Sequence, residues 1–355
     1  MQDNWKQFLT DHGAHIDADR VQHFGDNSTN EASEKCAALS ASDHVICDLS
    51  HFGLIRAQGE EAESFLQNQF CNDVRQVTAT HSQLNGYCNP KGRMLAFFRL
   101  FQRDDCYYLR LPQEILEPSL KRLGMFVLMT KVTLDDYSNE LVHIGFAGPE
   151  AEQRLAAVLG DVPQTTDAVT QINLFTVIRV PGAQPRFEIY GNCDAISQLW
   201  EQLAGEATPV GSSSWELLDI HAAIPEVLPQ TLEAFVPQML NLQAIEALSF
   251  KKGCYPGQEI VARMHYLGKL KRHMYRAHSD TDIVPAPGDS LFAQGSESGQ
   301  GVGKVVRAQA NPDGGIDLLA VIEISSAEER GLHLYDSDGP QLKLQNLPYS
   351  LDEAK

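Results

Sequence analysis

The sequence lacks the features that mark several common classes of protein. Its seven cysteines are scattered, odd in number and contain no C-x-x-C pair, which argues against a disulfide framework and a zinc site. Its twelve histidines form no H-x-x-x-H pair, so we predict no metal site. No run of eighteen apolar residues is present, which excludes an ordinary transmembrane helix.

Positive charge is also scarce, because 28 Lys and Arg stand against 47 Asp and Glu, for a formal net charge of −19. Binding to nucleic-acid duplexes generally needs a broad basic face that neutralises phosphates, so this balance disfavours a general duplex-binding role. The first residues, Met1 to Lys6, lack the basic and then apolar plan of a secretion signal. Together with the unpaired cysteines, this predicts a cytoplasmic protein without membrane association, and we expect a monomer.

The most distinctive stretch is Lys251-Lys252-Gly253-Cys254-Tyr255-Pro256-Gly257-Gln258-Glu259. Glycines permit positive φ and close approach of a ligand to the backbone, and Pro256 stiffens the turn. Nearby ammonium groups favour the thiolate form of a cysteine, which is both the nucleophile and the metal ligand. Seven of the 28 Lys and Arg but only one acid lie between positions 251 and 276, so this stretch carries +6 and the rest −25. A plainer interpretation stays open: a tight glycine turn with a buried cysteine, followed by a basic strand.

The string K-G-C-Y-x-G-Q-E resembles the signature of the YgfZ family of folate-binding, iron–sulfur-related proteins. These proteins share their fold with the glycine-cleavage aminomethyltransferase. The upstream residues from Phe235 to Phe250 resemble the family's approach to this loop, and the segment Phe65–Val74 resembles an early helix and turn of aminomethyltransferase-like proteins. The resemblance extends from about residue 45 to about residue 350.

A length of 355 residues is too great for one ordinary core and predicts two or three domains. Alternating strands and helices, with a hairpin turn at Asn89–Gly92, favour an α+β class with antiparallel sheets, and a run 125–134 rich in Val, Thr and Leu predicts a strand. Turn signals between short apolar runs after about residue 275 indicate a small closed β-structure. Gly299, Gly301 and Gly303 are interpreted as turn glycines and not as a dinucleotide fingerprint.

The resemblance implies an aminomethyltransferase-like ring of three domains, with ferredoxin-like α+β units and a small C-terminal β-barrel. The predicted ranges are an N-terminal extension with little core of its own (1–42), the first part of a folate-binding α+β domain (43–138), a second α+β domain with the K-G-C-Y-x-G-Q-E loop (139–272), and the β-barrel (273–355).

The resemblance also implies that tetrahydrofolate is the cofactor. Phe52 and Trp215 correspond to two aromatic positions that flank folate in the family, and some relatives carry Trp where this chain has Phe52. Offset stacking on such rings adds about 0.5–1.5 kcal/mol beyond the buried area. We assign Gly253, Tyr255 and Gly257 to the cofactor site as well. From the residues alone, burial of both aromatic rings in the core is an open alternative.

The implied function is that of an accessory factor for iron–sulfur proteins, including tRNA-modifying enzymes. We expect Cys254 to act as a transient thiolate ligand or redox thiol, with Lys251 and Lys252 keeping it ionised and Gln258 and Glu259 orienting it or the folate. The partners would be iron–sulfur proteins or their assembly factors.

Two other functions remain open. The first is a folate-dependent one-carbon transferase of the aminomethyl type. Aminomethyltransferases carry an acid just after the turn that corresponds to Lys91-Gly92, whereas residues 93–98 here contain no carboxylate, which disfavours this reaction. The second is an adaptor that contacts tRNA through residues 263–276, using Arg263, Lys269, Lys271 and Arg272.

Overall fold

The computed structural model describes residues 1–26, 30–266, 268, 270–294, 301–329 and 331–351. The chain divides into two compact units, each assembled from separated stretches of the sequence. The first unit comprises Met1–Ala62, Gln76–Gln83 and Arg99–Leu218, and the second comprises Glu63–Arg75, Leu84–Phe98 and Asp219–Lys355. The four predicted sequence ranges divide the chain differently, and their boundaries stay a prediction.

The helices are α1 (Asp3–Asp11), α2 (Asn30–Leu39), α3 (Ala62–Gln67), α4 (Gln113–Gly124), α5 (Ala151–Leu159), α6 (Cys193–Ala204), α7 (Ser212–His221), α8 (Gln258–Tyr266) and α9 (Ile324–Glu329). The first ten strands are β1 (Ala14–Asp17), β2 (Arg20–Phe24), β3 (Val45–Asp48), β4 (Phe52–Gln58), β5 (Gln83–Cys88), β6 (Met94–Arg103), β7 (Cys106–Pro112), β8 (Thr133–Asp136), β9 (Val142–Ala147) and β10 (Val169–Ile172). The others are β11 (Phe175–Val180), β12 (Arg186–Gly191), β13 (Thr208–Val210), β14 (Arg272–Ser279), β15 (Ser290–Ala293), β16 (Gly303–Ala310), β17 (Ile316–Glu323), β18 (Leu332–Leu334) and β19 (Gln341–Gln345).

The N-terminal stretch contributes directly to a core, and the expectation of an extension with little core was wrong. Trp5 and Leu9 lie one turn apart on α1, so they share one helix face, and both are buried. They pack in one cluster with Val21 and Phe24 of the β1–β2 hairpin. The indole of Trp5 also donates a hydrogen bond to the buried carboxyl of Asp48 at 2.7 Å.

The first unit contains a six-stranded sheet in the order β10-β11-β12-β9-β3-β13, antiparallel apart from the β3–β13 pair. Helix α6 covers it with an apolar face whose spacing follows the helical period, and Asn192 caps that helix by accepting a hydrogen bond from the amide of Ala195 at 2.8 Å. His143 of β9 and Arg186 and Glu188 of β12 alternate with the apolar residues under α6, so they are buried on the opposite face of the sheet.

A second sheet has the order β5-β6-β7-β4-β8. The predicted hairpin turn at Asn89–Gly92 is confirmed, and the Asn89 side chain accepts hydrogen bonds from the amides of Lys91 and Arg93. The strand predicted over 125–134 was wrong in most of its length. Only β8 forms there, because it pairs with β4 over four residues, and turns precede it in which Met129 is fully exposed.

The second unit ends in a closed barrel in the order β14-β17-β16-β15-β18-β19. Its interior is apolar, with residues such as Leu318 and Ile322 completely buried, and the opposite face of the same strands supplies Leu319 and Val321 to a neighbouring cluster. The mixed sheets and this barrel confirm the predicted α+β class with a C-terminal β-barrel. Three predicted features lie outside the described residues: Lys269, residues 27–29 and the turn at 295–300 that contains Gly299.

The burial of the Asp48 carboxyl predicts a dependence of stability on pH. Burial raises the pKa of Asp48 to about 6, against 3.8 ordinarily, so the folded state binds a proton that the unfolded chain releases earlier. Between about pH 4 and pH 6 the free energy of unfolding should therefore fall, by about 2–4 kcal/mol, relative to Asp48→Asn. Urea unfolding of both proteins across this range measures the difference. A difference that does not change with pH would contradict the raised pKa.

Candidate functional site

The loop of residues 251–258 is anchored by the ammonium group of Lys252. Its nitrogen donates to three backbone carbonyls in the same unit, those of Gln67 at 2.7 Å, Phe70 at 2.5 Å and Asn72 at 3.0 Å. Gln67 is the last residue of α3, where carbonyls lack helical partners and the helix dipole favours a cation. Burial lowers the pKa of Lys252 to about 8, which leaves the side chain cationic at neutral pH.

This arrangement revises the role that the sequence suggested for Lys252. All three N–H donors of an ammonium are used by the carbonyls, so its charge is directed at the backbone around Asn72. Lys251 is exposed and its amide is held by the Ser249 hydroxyl. Support of a Cys254 thiolate by these lysines stays a prediction.

The second anchor of the loop is Gly257, which lies against the Asn89–Gly92 turn. Its φ is +84°, and a Cβ built on it would lie 2.5 Å from the carbonyl oxygen of Asn89 and 2.7 Å from the Cα of Gly92. No other residue type fits this conformation and this contact without a shift of the backbone. Gly253 differs, because it has no positive φ and a Cβ there would meet open space.

Tyr255 and Cys254 point in opposite directions. Tyr255 is buried in a cluster with Cys71, Cys88 and Val261, and the Lys252 ammonium lies 5.3 Å from its ring centroid. Cys254 is exposed, so the alternative of a buried cysteine was wrong. Within the part of the chain that the structure describes, no hydrogen bond or ion pair engages the Cys254 thiol, and all seven cysteines are free.

Gln258 and Glu259 begin helix α8. The side-chain amide of Gln258 donates to the carbonyl of Lys252 at 3.2 Å and so closes the loop on itself. Glu259 is exposed in the first turn, where a negative charge is favourable. Gln238 secures the helix from below by donating to the carbonyl of Val261 at 2.7 Å. The basic run continues first as this helix, which carries Arg263, and the basic strand considered from the sequence begins only at Arg272, in β14.

Phe52 and Trp215 lie together in one buried cluster of the first unit. Trp215 is only 1% exposed; a Cβ on Gly145 would lie 2.5 Å from its ring, and the Arg186 guanidinium lies 4.4 Å from the ring centroid. Phe52 is also buried, with the Arg110 guanidinium 4.1 Å from its ring centroid. Within this unit both rings are therefore core aromatics.

The cleft beside Phe52 has a volume of about 20 Å³ and is lined in part by Arg110, His143 and Tyr190. A space of this size holds about one water molecule. It does not hold a pterin ring in the conformation of this structure. The predicted stacking of folate on Phe52 and Trp215 thus stays a prediction that the first unit by itself does not accommodate.

Sequence reasoning missed a buried ionic network beside this cleft. Glu188 accepts from Arg110 at 2.8 Å and from the Tyr190 hydroxyl at 2.8 Å, and the imidazole of His143 lies 3.4 Å away. Burial alone would raise the pKa of Glu188, but the Arg110 guanidinium holds it well below its usual range, whereas burial lowers the pKa of His143. The available signal was an ionisable residue inside each of three apolar strands: Arg110, His143 and Glu188.

Comparisons with known proteins bear directly on this geometry. A family model described as the GCVT N-terminal domain matches residues 10–249. The tRNA-modifying protein YgfZ of Colwellia psychrerythraea is 34% identical over 86% of this chain and 93% of its own length. The protein of the same name from Yersinia pseudotuberculosis is 32% identical, over 91% of this chain and 98% of its own length. The chain belongs to the YgfZ family.

Among solved structures, the glycine cleavage system aminomethyltransferase T from Bartonella henselae superposes with a TM-score of 0.78. The match covers 98% of this chain and 97% of that one, at 16% sequence identity. This likeness shows the fold alone, and it confirms the predicted aminomethyltransferase-like architecture for this member of the YgfZ family.

In this YgfZ-family chain the second unit brings five predicted site residues into one loop: Lys252, Gly253, Cys254, Tyr255 and Gly257. Among the residues that the structure describes, no group of three or more His, Cys, Asp or Glu side chains is placed to hold a metal ion. None of the helices in the described ranges has the length and hydropathy to cross a bilayer.

The two glycines of the loop 251–258, Gly253 and Gly257, provide a matched pair of substitutions. Gly257→Ala places a side chain at positive φ against the Asn89–Gly92 turn and should lower the free energy of unfolding by about 1–3 kcal/mol. Gly253→Ala enters open space and should change it by less than about 0.5 kcal/mol. Urea unfolding of the three proteins measures both effects. Equal effects of the two substitutions would refute the proposed docking of Gly257.

Proposed function

We propose that this protein binds a tetrahydrofolate and acts as an accessory factor for the assembly or repair of iron–sulfur proteins, tRNA-modifying enzymes among them, through the thiol of Cys254. The observation that carries the proposal is the loop itself. Contacts within the second unit hold Lys252, Tyr255 and Gly257 in place. Cys254, which lies between them in the loop, is exposed. Such rigid support of one exposed thiol is expected for a reactive group.

The chemistry of one cysteine limits what the thiol does. Iron–sulfur clusters are generally held by several thiolates, so Cys254 alone does not keep a permanent cluster. It serves as a transient ligand or as a redox thiol toward a partner protein. Glu259 is close in sequence and exposed, and it is the carboxylate assigned to receive or orient a proton there.

The folate part of the proposal is supported by the match to the GCVT N-terminal domain. Gly253 leaves open space above the backbone of the loop, which lets a flat ligand approach closely. Because Phe52 and Trp215 are buried, they would support the folate site from within the core and would not form its open walls. The folate site is therefore better tested with the conservative Trp215→Phe than with removal of the whole ring, because removal would lower the free energy of unfolding by about 3–5 kcal/mol.

A contact with tRNA through residues 263–276 is a second candidate, favoured by one observation. Tyr266 is 66% exposed at the end of α8, beside a stacked pair formed by Phe250 and His265 with ring centroids 3.8 Å apart. Arg263 and Lys271 are exposed on the same stretch. Aromatic rings next to cations are typical of single-stranded RNA binding, which would weaken steeply with salt.

The test of the main proposal compares two exposed cysteines. In a bacterial host whose own YgfZ-family protein is deleted, Cys254→Ser should lower the level of tRNA modifications made by iron–sulfur enzymes by at least about tenfold relative to wild type, since the reactive thiolate is lost. Mass spectrometry of tRNA nucleosides provides the measurement. Cys36→Ser, which removes another exposed thiol, is the control and should behave as wild type.

Full activity of Cys254→Ser would remove the thiol from the mechanism. The alternative function, aminomethyl transfer, is separated by supplying the purified protein with a dihydrolipoyl carrier, ammonia and the folate substrate. The proposal expects no turnover, because residues 93–98 provide no carboxylate at the position where aminomethyltransferases carry one. Clear turnover would favour the transferase.

A further inference from the structure

The second unit contains a cavity of about 330 Å³ that the folate and thiol assignments above do not use. It lies between the outer face of the barrel and the segment 234–239, which packs on that face. Its volume falls at the lower end of the range for small-molecule sites, about 300–1,000 Å³. The space is therefore adequate for a compact organic ligand.

The position of the cavity follows from the strand register. Ser290, Lys304 and Val321 are direct cross-strand partners on β15, β16 and β17, so their side chains stand in one row on the outer face of the barrel. Val321, at one end of this row, is buried in the cluster that contains Phe235. Lys304 and Ser290 are not in that cluster, and Lys304 is exposed. The cavity thus has an apolar floor at Val321 and a polar edge at Lys304 and Ser290.

The charge of the lining is positive in a protein with a net charge of −19. Arg272 and Lys304 both line the cavity, and the described residues that line it include no carboxylate. Arg272 gives one of its N–H donors to Glu323 at 2.7 Å, which leaves further donors of the guanidinium for a ligand. Lys304 makes no ion pair with any residue that the structure describes.

The remaining lining is apolar and comes mainly from Phe235, Met239 and Val321. We propose that this cavity binds a small amphipathic carboxylate, with its apolar body against these three side chains and its carboxylate between Arg272 and Lys304, where Ser290 donates a hydroxyl hydrogen bond. Guanidinium and ammonium groups at the end of an apolar pocket recognise this combination of groups. The site is independent of the folate and thiol functions proposed above.

The experiment uses two probes of nearly the same shape, the anionic 2-naphthoate and the neutral 2-naphthamide, with calorimetry on the full-length protein. The wild type should bind the carboxylate at least about tenfold more tightly than the amide, because only the carboxylate pairs with the two cations. Lys304→Gln should remove most of that preference. Lys343→Gln, an exposed lysine of the same barrel that pairs with Asp280 and does not line the cavity, should retain it.

Ala234→Leu, which reduces the space in the cavity, should weaken both probes and so locates the site. Urea unfolding of each variant confirms that it is folded. The proposal is overturned if neither probe binds at millimolar concentration, if both bind equally, or if Lys304→Gln keeps the preference. It is also overturned if tetrahydrofolate displaces the naphthoate, because the cavity would then be part of the folate site.

Discussion

The loop of residues 251–258 depends on one buried ammonium group, that of Lys252. Lys252 donates to three carbonyls at the end of α3 and just beyond it, and the loop between Lys252 and α8 is built on that attachment. Carbonyls at a helix C-terminus need donors, and a lysine supplies three that carry positive charge. The ammonium group of Lys252 is therefore bound to backbone carbonyls of residues 67–72. The neighbouring Lys251 is exposed and does not anchor the loop in this way.

The rest of the motif follows from that attachment. Tyr255 enters the core, Gly257 lies against the Asn89–Gly92 turn, and the amide of Gln258 returns to the carbonyl of Lys252. Three consecutive constraints leave Cys254 exposed at the surface of a short, supported loop. This arrangement, a fixed backbone beneath one free thiol, is what the proposed handling of iron–sulfur proteins requires. It explains why the motif contains Tyr255, Gly257 and Gln258, which hold the loop, in addition to Cys254, which carries the thiol.

Much of this could be predicted from the sequence, and the failures have physical reasons. The hairpin at Asn89–Gly92, the α+β class and the C-terminal barrel follow from local turn chemistry and periodicity. The partners of Lys252 could not be found, since backbone carbonyls about 180 residues away leave no side-chain signal. Burial of Trp215, which the sequence left open, depends on the lack of a Cβ at Gly145, because this lets the ring enter the core. Apolar residues near Met129 suggested a strand, although no neighbouring strand within the described residues pairs with them.

The most direct test of this account is the free energy of unfolding of Lys252→Met, measured in urea beside Lys251→Met. Both substitutions remove an ammonium and keep a side chain of similar length. We expect Lys252→Met to lose about 2–4 kcal/mol, because three carbonyls lose a charged donor, and Lys251→Met to remain within about 0.5 kcal/mol of the wild type. An unchanged or increased stability of Lys252→Met would show that burial of the charge outweighs its hydrogen bonds, and would contradict the account.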